Sequence, residues 1–431
     1  MRNWLMCRRS TALAAAGVAV VTLAAACSAA GSGGSAAGST TSGGGTVHFA
    51  AAGAYSGIQA AVGAPILEGT KAAAAVINAN GGILGKKLVI DAADTKGDPA
   101  DAVTALHQDI ALNHPSALIG PASLEIHGAQ PVFDQAKIPD GWNGGSAEFD
   151  HNKDPLLWRC NPSDSQEGVA IAAYAIKKGY KRAAMLFTNV AASQAFEPII
   201  SNAYNKLGGK VVDTQNLTPG LSDYRTEVSK ILASKPDVIF SQMEPSTSAT
   251  VMKNFQQLGG LHIPIVGTDL MAGSDVIKAI GPAFDASHIA MVQGSSELTG
   301  SAAAFATAYK KANGHAPIAG GGYSYDCTIL FALAATYAKS TSPAAIEGAV
   351  MKVSNPPGIK VGDYATGVKD IKAGKKINYD GVSGPLDYNA FHNVIGPWDV
   401  VVASGDKAGD VKTVLTLQPA EIQAALNGTL K

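Results

Sequence analysis

Residues 183–241 read AAMLFTNVAASQAFEPIISNAYNKLGGKVVDTQNLTPGLSDYRTEVSKILASKPDVIFS, and this stretch decides the fold. Three short apolar runs, Ala183–Phe187, Lys210–Asp213 and Asp237–Ser241, are separated by two stretches of helical period, Ala195–Leu207 and Tyr224–Ala233. A strand covered on both faces carries a continuous apolar run, whereas a strand with one wet face alternates. Repetition of strand, helix and strand predicts a parallel sheet with right-handed crossovers.

The same rhythm extends in both directions. Further strands are expected at Val47–Ala51, Lys87–Ala92, Ser116–Gly120 and Ile263–Gly267, and further helices at Ile66–Asn78, Ala100–Leu112, Glu167–Lys178 and Ser248–Leu258. A chain of 431 residues with 46% apolar content is long enough for two or three domains with sizeable cores. Its 33 basic and 34 acidic residues leave a net charge of -1, which argues against a nucleic-acid binder, since phosphate neutralisation needs a basic surface. Four cysteines are too few for a disulfide scaffold or a Cys-rich zinc module.

Upstream, Arg2, Arg8 and Arg9 precede the uncharged apolar run at residues 11–26, the order of a signal peptide. That run rises only about 24 Å as a helix, short of the roughly 30 Å of a bilayer core. It ends in Leu23-Ala24-Ala25-Ala26-Cys27, which resembles a bacterial lipoprotein signal with Cys27 as the lipidated residue; cleavage at an A-x-A site is the alternative. Arg8-Arg9 is only a weak sign of twin-arginine export. Residues 28–45 (SAAGSGGSAAGSTTSGGG) form a flexible tether spanning roughly 25 Å as a coil. The expected product is a folded body held at the outer face of a membrane.

Ligands of parallel sheets bind beyond the carboxyl ends of the strands, where helix N-termini offer free N–H groups. Ser123 follows the run ending at Gly120 and reads equally as a helix cap or a ligand hydroxyl. The segment Asp140-Gly141-Trp142-Asn143-Gly144-Gly145-Ser146 is Gly-rich, so it either bares N–H donors or satisfies a turn. Thr268-Asp269 follows Gly267, and Gln242, Met243 and Glu244 follow Ser241, with the same ambiguity.

Several segments together resemble one family. They are GTKAAAAVINANGGILG at residues 69–85, Asp94 with Asp98-Pro99, LIGPAS at 118–123, WRCNPSD at 158–164 with Gln166, LGGKVV at 207–212, Ser222-Asp223-Tyr224, Pro236-Asp237, GYSYD at 322–326 and GVSGPL at 381–386. Their order and spacing resemble the type I periplasmic binding proteins of branched-chain amino acid (leucine/isoleucine/valine-binding) ABC transporters. The resemblance implies two Rossmann-like α/β lobes with parallel sheets, joined by three hinge strands near 157–161, 289–294 and 398–402. Lobe one is then 46–158 plus 295–397, and lobe two 159–294 plus 398–431.

Carried over by position, Ser123 would hold a ligand carboxylate, and Gly144, Gly145 and Ser146 would complete the anion site. Asp269 would pair with the ligand ammonium. Trp142, Asn189, Met243 and Glu244 are candidates to face the rest of the solute. The chain departs from the family pattern at Ala192-Ser193, where a Tyr-Gly pair is usual, and at Glu244, where an aromatic residue is frequent. These departures point away from leucine, isoleucine or valine themselves. The resemblance also places Cys160 at the first hinge and Cys327 on a helix near it, so they form either a disulfide or two buried thiols in an oxidising compartment.

No HExxH, GxSxG, GxGxxG or Walker A motif occurs, and the 9 histidines are scattered singly. Glu244 and Asp269 fit an amino-group clamp better than a glycosidase carboxylate pair. The sequence thus reads as a non-enzymatic, monomeric, cofactor- and metal-free receptor. It captures an amino acid-like solute for the permease of an ABC importer; the alternative is a ligand sensor feeding a separate signalling partner.

Overall fold

The computed structural model describes residues 44–57, 59–268, 271, 274–281, 287–295, 301–405 and 410–430. The signal peptide, Cys27, nearly all of the tether and Asp269 lie outside them.

The first half of lobe one is β1 (Thr46–Gly53), α1 (Ala60–Ala79), β2 (Lys87–Asp94), α2 (Pro99–Asn113), β3 (Ala117–Ile119), α3 (Ile126–Ala136), β4 (Asp140–Trp142), a 3-10 turn at Ala147–Phe149, and β5 (Leu157–Arg159). The strands form one parallel sheet in the order β2-β1-β3-β4-β5. The chain then crosses to lobe two with α4 (Asp164–Lys177), β6 (Arg182–Thr188), α5 (Ala191–Lys206), β7 (Lys210–Leu217), α6 (Arg225–Ala233), β8 (Val238–Gln242), α7 (Pro245–Gln257), β9 (Ile265–Thr268), α8 (Ser274–Ile280) and β10 (Ile289–Gly294).

It returns to lobe one as α9 (Ala302–Asn313), α10 (Gly321–Ala338), α11 (Pro343–Glu347), α12 (Val350–Ser354), β11 (Ile359–Val361), α13 (Tyr364–Lys372), β12 (Ile377–Gly381) and β13 (Gly384–Pro385). A final crossing gives β14 (Trp398–Ala403), β15 (Val411–Leu417) and α14 (Pro419–Leu426). The lobe-two sheet has the order β15-β14-β10-β9-β8-β6-β7, parallel from β7 through β10 and antiparallel at β14 and β15.

Each sheet is covered on both faces. In lobe one the side of α2 and α3 buries Leu106, Phe133 and Trp142, while the side of α1 and α10 buries Phe49, Ile77 and most of α10. Helix α10 is apolar around its whole circumference because it is wrapped by α1, α11, α12 and α13. Gly69 lets α1 approach it: a Cβ there would lie 2.1 Å from the Gly321 carbonyl oxygen. Lobe two has the same double cover, with Met185 and Phe240 on one face and Leu186, Ile239 and Met291 on the other.

All seven expected strands occur, but not all are continuously buried. β2 and β7 are partly exposed along their length because each is a sheet edge with a neighbour on one side only. The expected helices occur as well, and α1 runs through Pro65 back to Ala60.

Three crossings join the lobes, after β5, after β10 and before β14. They lie side by side, since Gly294 at the end of β10 pairs with Trp398 at the start of β14. Gln166 of α4 clasps the returning chain, donating from Nε2 to the Val394 carbonyl at 2.7 Å and accepting from the Gly396 N–H at 3.1 Å. Cys160 and Cys327 are bonded, with Cα atoms 5.8 Å apart, tying the end of β5 to α10.

Candidate functional site

The crossings define which sheet edges face one another. The chain leaves lobe one at the carboxyl end of β5, so the parallel β1, β3 and β4 present their carboxyl ends to lobe two. It leaves lobe two at the carboxyl end of β10, so β6, β8 and β9 present theirs to lobe one. The loops that follow these strands therefore line an interlobe cleft.

On the lobe-one wall, β3 is followed by Gly120, which has φ +89 and sits so close to β1 that a Cβ would lie 2.1 Å from the Ala52 carbonyl oxygen. The following turn places Ser123 three residues ahead of α3, whose N-cap position is Glu125, so Ser123 does not cap the helix. Its hydroxyl oxygen accepts from the Ser146 N–H at 3.3 Å, which joins the two candidate segments, and its proton is donated to no described acceptor. The N–H groups of Gly144 and Gly145 also donate to no described acceptor. One hydroxyl and two unused amides thus sit on adjoining loops, a donor set suited to a carboxylate.

The supporting layer explains the glycines. A Cβ at Gly144 would lie 2.2 Å from the Trp142 ring, and one at Gly145 would lie 1.9 Å from Asp164 Oδ1. Trp142 itself is fully buried in β4, edge-on to Phe149 with centroids 4.8 Å apart and with the Arg159 guanidinium 4.6 Å from its ring. It is the floor beneath Gly144, and the expectation that it faces solute is corrected. Arg159 is 1% exposed; it donates to Asp150 Oδ1 and to the Ser146 carbonyl, each at 2.7 Å. Burial pushes its guanidinium pKa down from the ordinary value, with Asp150 opposing. This arginine, the last residue of β5, fixes the Gly144–Ser146 turn; from sequence it stood out only as part of the WRCNPSD segment and not as a site residue. The Ser146 hydroxyl is turned to Glu148 at 3.1 Å, so Ser146 contributes through its backbone.

On the lobe-two wall, Asn189 is exposed beyond β6. Met243 is fully buried with Met271, Val251 and Ile239, so it packs the lobe-two core and not the cleft. Its neighbour Glu244 begins α7 half-buried and accepts from Thr188 Oγ1 at 3.3 Å. Thr188, Gln242 and Thr268, the last residues of β6, β8 and β9, are buried polar groups there that strand-end position alone did not rank. Among the described residues, no group of three or more His, Cys, Asp or Glu side chains is arranged to hold a metal.

These features define a two-lobed α/β protein in which the carboxyl ends of two parallel sheets face each other. Residues 46–409 match the periplasmic binding protein family, and the chain belongs to it. Members of this family are solute-binding receptors that work outside the cytoplasm. Among individual relatives, the chain is 26% identical over 325 residues to the chemotactic signal transduction system substrate-binding protein BasB of Halobacterium salinarum, covering 73% of this chain and 76% of that one. It is 27% identical over 242 residues to an amino acid binding protein of Pseudomonas aeruginosa, covering 54% of this chain and 63% of that one. A leucine binding protein of Thermotoga maritima superposes with a TM-score of 0.66 at 20% identity, over 87% of this chain and 99% of the other. The fold is shared with that structure.

Proposed function

We propose that this protein is the extracytoplasmic receptor of an ABC importer, closing its two lobes on an amino acid or a related small carboxylate or amide and delivering it to the permease. The observation that carries the reading is the meeting of the Ser123 hydroxyl with the Gly144–Ser146 turn, where one hydroxyl proton and two amide protons are unused. Asp269, directly after β9, is the proposed partner of the ligand ammonium. Cys27 is the proposed lipid anchor and residues 28–45 the tether. A closed state gains contacts from both walls, so the ligand itself supplies the differential affinity that shifts the population.

Isothermal titration calorimetry of the mature chain against amino acids tests the site. Ser123→Ala removes one charge-assisted hydrogen bond, about 1.5–3 kcal/mol, and is expected to weaken binding about 10- to 100-fold with an unchanged melting temperature. Unaltered affinity in both Ser123→Ala and Asp269→Asn removes this assignment. The name of the Halobacterium relative favours one second reading, a sensor that feeds a signalling partner. Loss of solute uptake on deletion of the chain supports import, and intact uptake with lost response supports sensing.

A further inference from the structure

The hairpin that joins α1 to β2 sits where the folded body meets the tether. The Ile83 N–H donates to the Lys86 carbonyl at 2.9 Å and the Lys86 N–H to the Ile83 carbonyl at 3.0 Å, so Leu84 and Gly85 form a two-residue tip. Both have positive φ, +52 and +82. Hairpin tips of that kind favour Asn-Gly, and a bulky residue with positive φ is uncommon. Leucine stands there nonetheless, 42% exposed, while the neighbouring Ile83 is fully buried and anchors the turn in the core. Lys86 and Lys87 follow, both exposed, and no ion pair among the described residues holds either of them. The Lys87 N–H donates to the Gly45 carbonyl at 3.0 Å, and a Cβ at Gly45 would lie 3.8 Å from Lys86 Cδ. Residues 44–48 and 78–90, which meet at this end, contain no Asp or Glu.

We infer that this tip is a membrane-contact element: Leu84 enters the headgroup layer of an anionic bilayer while Lys86 and Lys87 meet its phosphates. The inference rests on the lipid anchor proposed at Cys27 and adds how the anchored body stands on the surface. The occupant follows from place. Residues 28–45 start beside the proposed lipid and end at Gly45, against Lys86, so the tip is held within roughly 25 Å of the bilayer. An apolar residue flanked by lysines is the composition of an interfacial contact, and each lysine at an anionic surface is worth about a factor of 5. For a free protein that is weak binding. For a tethered one the effective concentration is high, and the same contact biases the orientation of the body. β1 runs its 8 residues from this end toward the cleft, about 23 Å at about 3.3 Å per step, so the contact leaves both cleft walls clear of the membrane.

The test couples the mature chain to vesicles through the Cys27 thiol, which is free for a maleimide lipid once Cys7 is removed and Cys160 and Cys327 are bonded. The vesicles are phosphatidylcholine, or equal parts phosphatidylcholine and phosphatidylglycerol, and acylation of lysine amines is followed by mass spectrometry. On the anionic vesicles Lys86 and Lys87 are expected to react about 3-fold or more slower than on the neutral ones. Lys253, an exposed lysine of α7 in lobe two, is expected to keep its rate. The difference is expected to vanish at about 1 M salt, where the screening length is about 3 Å. Leu84→Asn suits the positive φ, so the melting temperature is expected to stay or rise while the shielding of Lys86 and Lys87 falls by about half or more. Equal rates on the two vesicles, equal slowing at Lys253, or shielding untouched by Leu84→Asn overturns the inference. The coupling is chemical, so these outcomes do not depend on acylation in the cell. An unacylated Cys27 in cell membranes overturns the anchor reading instead.

Discussion

Asp326 sits in the middle of α10, with no exposed surface, and its carboxylate gathers the Tyr379 hydroxyl at 2.8 Å, the N–H groups of Val382 and Ser383 at 3.1 and 2.6 Å, and the Ser383 hydroxyl. A Cβ at Gly381 would lie 2.4 Å from this carboxylate, so the β12–β13 turn can close over Asp326 only with glycine there. Burial pushes the Asp326 pKa up from 3.8 to about 6, outweighing the donated hydrogen bonds that pull it down. A carboxyl whose pKa is higher in the folded state binds its proton more tightly there, so its contribution to stability is full below about pH 4 and declines as pH rises through about 6. Asp326→Asn abolishes this titration and turns an amide N–H toward donors, a loss of about 2–4 kcal/mol by the usual worth of such bonds. Denaturant unfolding across pH 4–7 is expected to show the wild-type advantage over Asp326→Asn shrinking as pH rises; a pH-independent difference overturns the assignment. The GYSYD and GVSGPL segments that meet here were visible in sequence, but that Asp326 is the point on which the second closes required the tertiary placement of α10.

Among the elements, strands and helices were legible wherever period and burial agree, as in β1, β6, β8, α2 and α4. The three-residue β4 was not, because it lies in a Gly-rich segment, and Trp142 therefore read as part of a turn; β5 was reached only through the family resemblance, as the first hinge strand. The edge strands β2 and β7 also defied the rule of continuous apolarity, since sheet order is a non-local property. The site follows the same division: Ser123 and the Gly144–Ser146 turn are proposed from position after a strand, while the placement of Arg159 and Met243 depends on packing. The disulfide between β5 and α10 is an element-level tie with the same character. Gly141 of β4 lies against it, since a Cβ there would sit 2.5 Å from Cys327 Sγ. The bond closes a loop with a sequence separation of 167, for which chain entropy gives about 5 kcal/mol, with typical measured values of about 2–4. Cys160→Ala/Cys327→Ala is expected to lower the melting temperature, to abolish its sensitivity to reductant, and to leave solute affinity within about 2-fold, because both cysteines lie behind the cleft floor. A large affinity loss in this variant would show that the tie also positions the binding loops.

For the molecule as a whole, closure has to be absorbed by the three crossings, and these are packed tightly. A Cβ at Gly396 would lie 2.0 Å from Pro162 Cγ, and one at Gly294 would lie 2.2 Å from the Tyr323 hydroxyl. The Gln166 clasp and the bond from the Ser295 N–H to the Pro397 carbonyl, 3.1 Å, hold the same segments together. Rotation between lobes must therefore occur by small changes in several backbone torsions, with the crossings kept in register. Gly396→Ala forces Pro162 and the returning chain apart without touching either wall of the cleft. The two lobe cores are unaffected, so the melting temperature is expected to fall by only a few degrees. The balance of open and closed forms does change, and apparent affinity scales with the fraction able to close. The expected result is a several-fold weaker apparent affinity, together with a smaller ligand-induced decrease in the radius of gyration by small-angle X-ray scattering. Wild-type affinity and wild-type compaction in Gly396→Ala would mean that the lobes move about some axis other than these crossings.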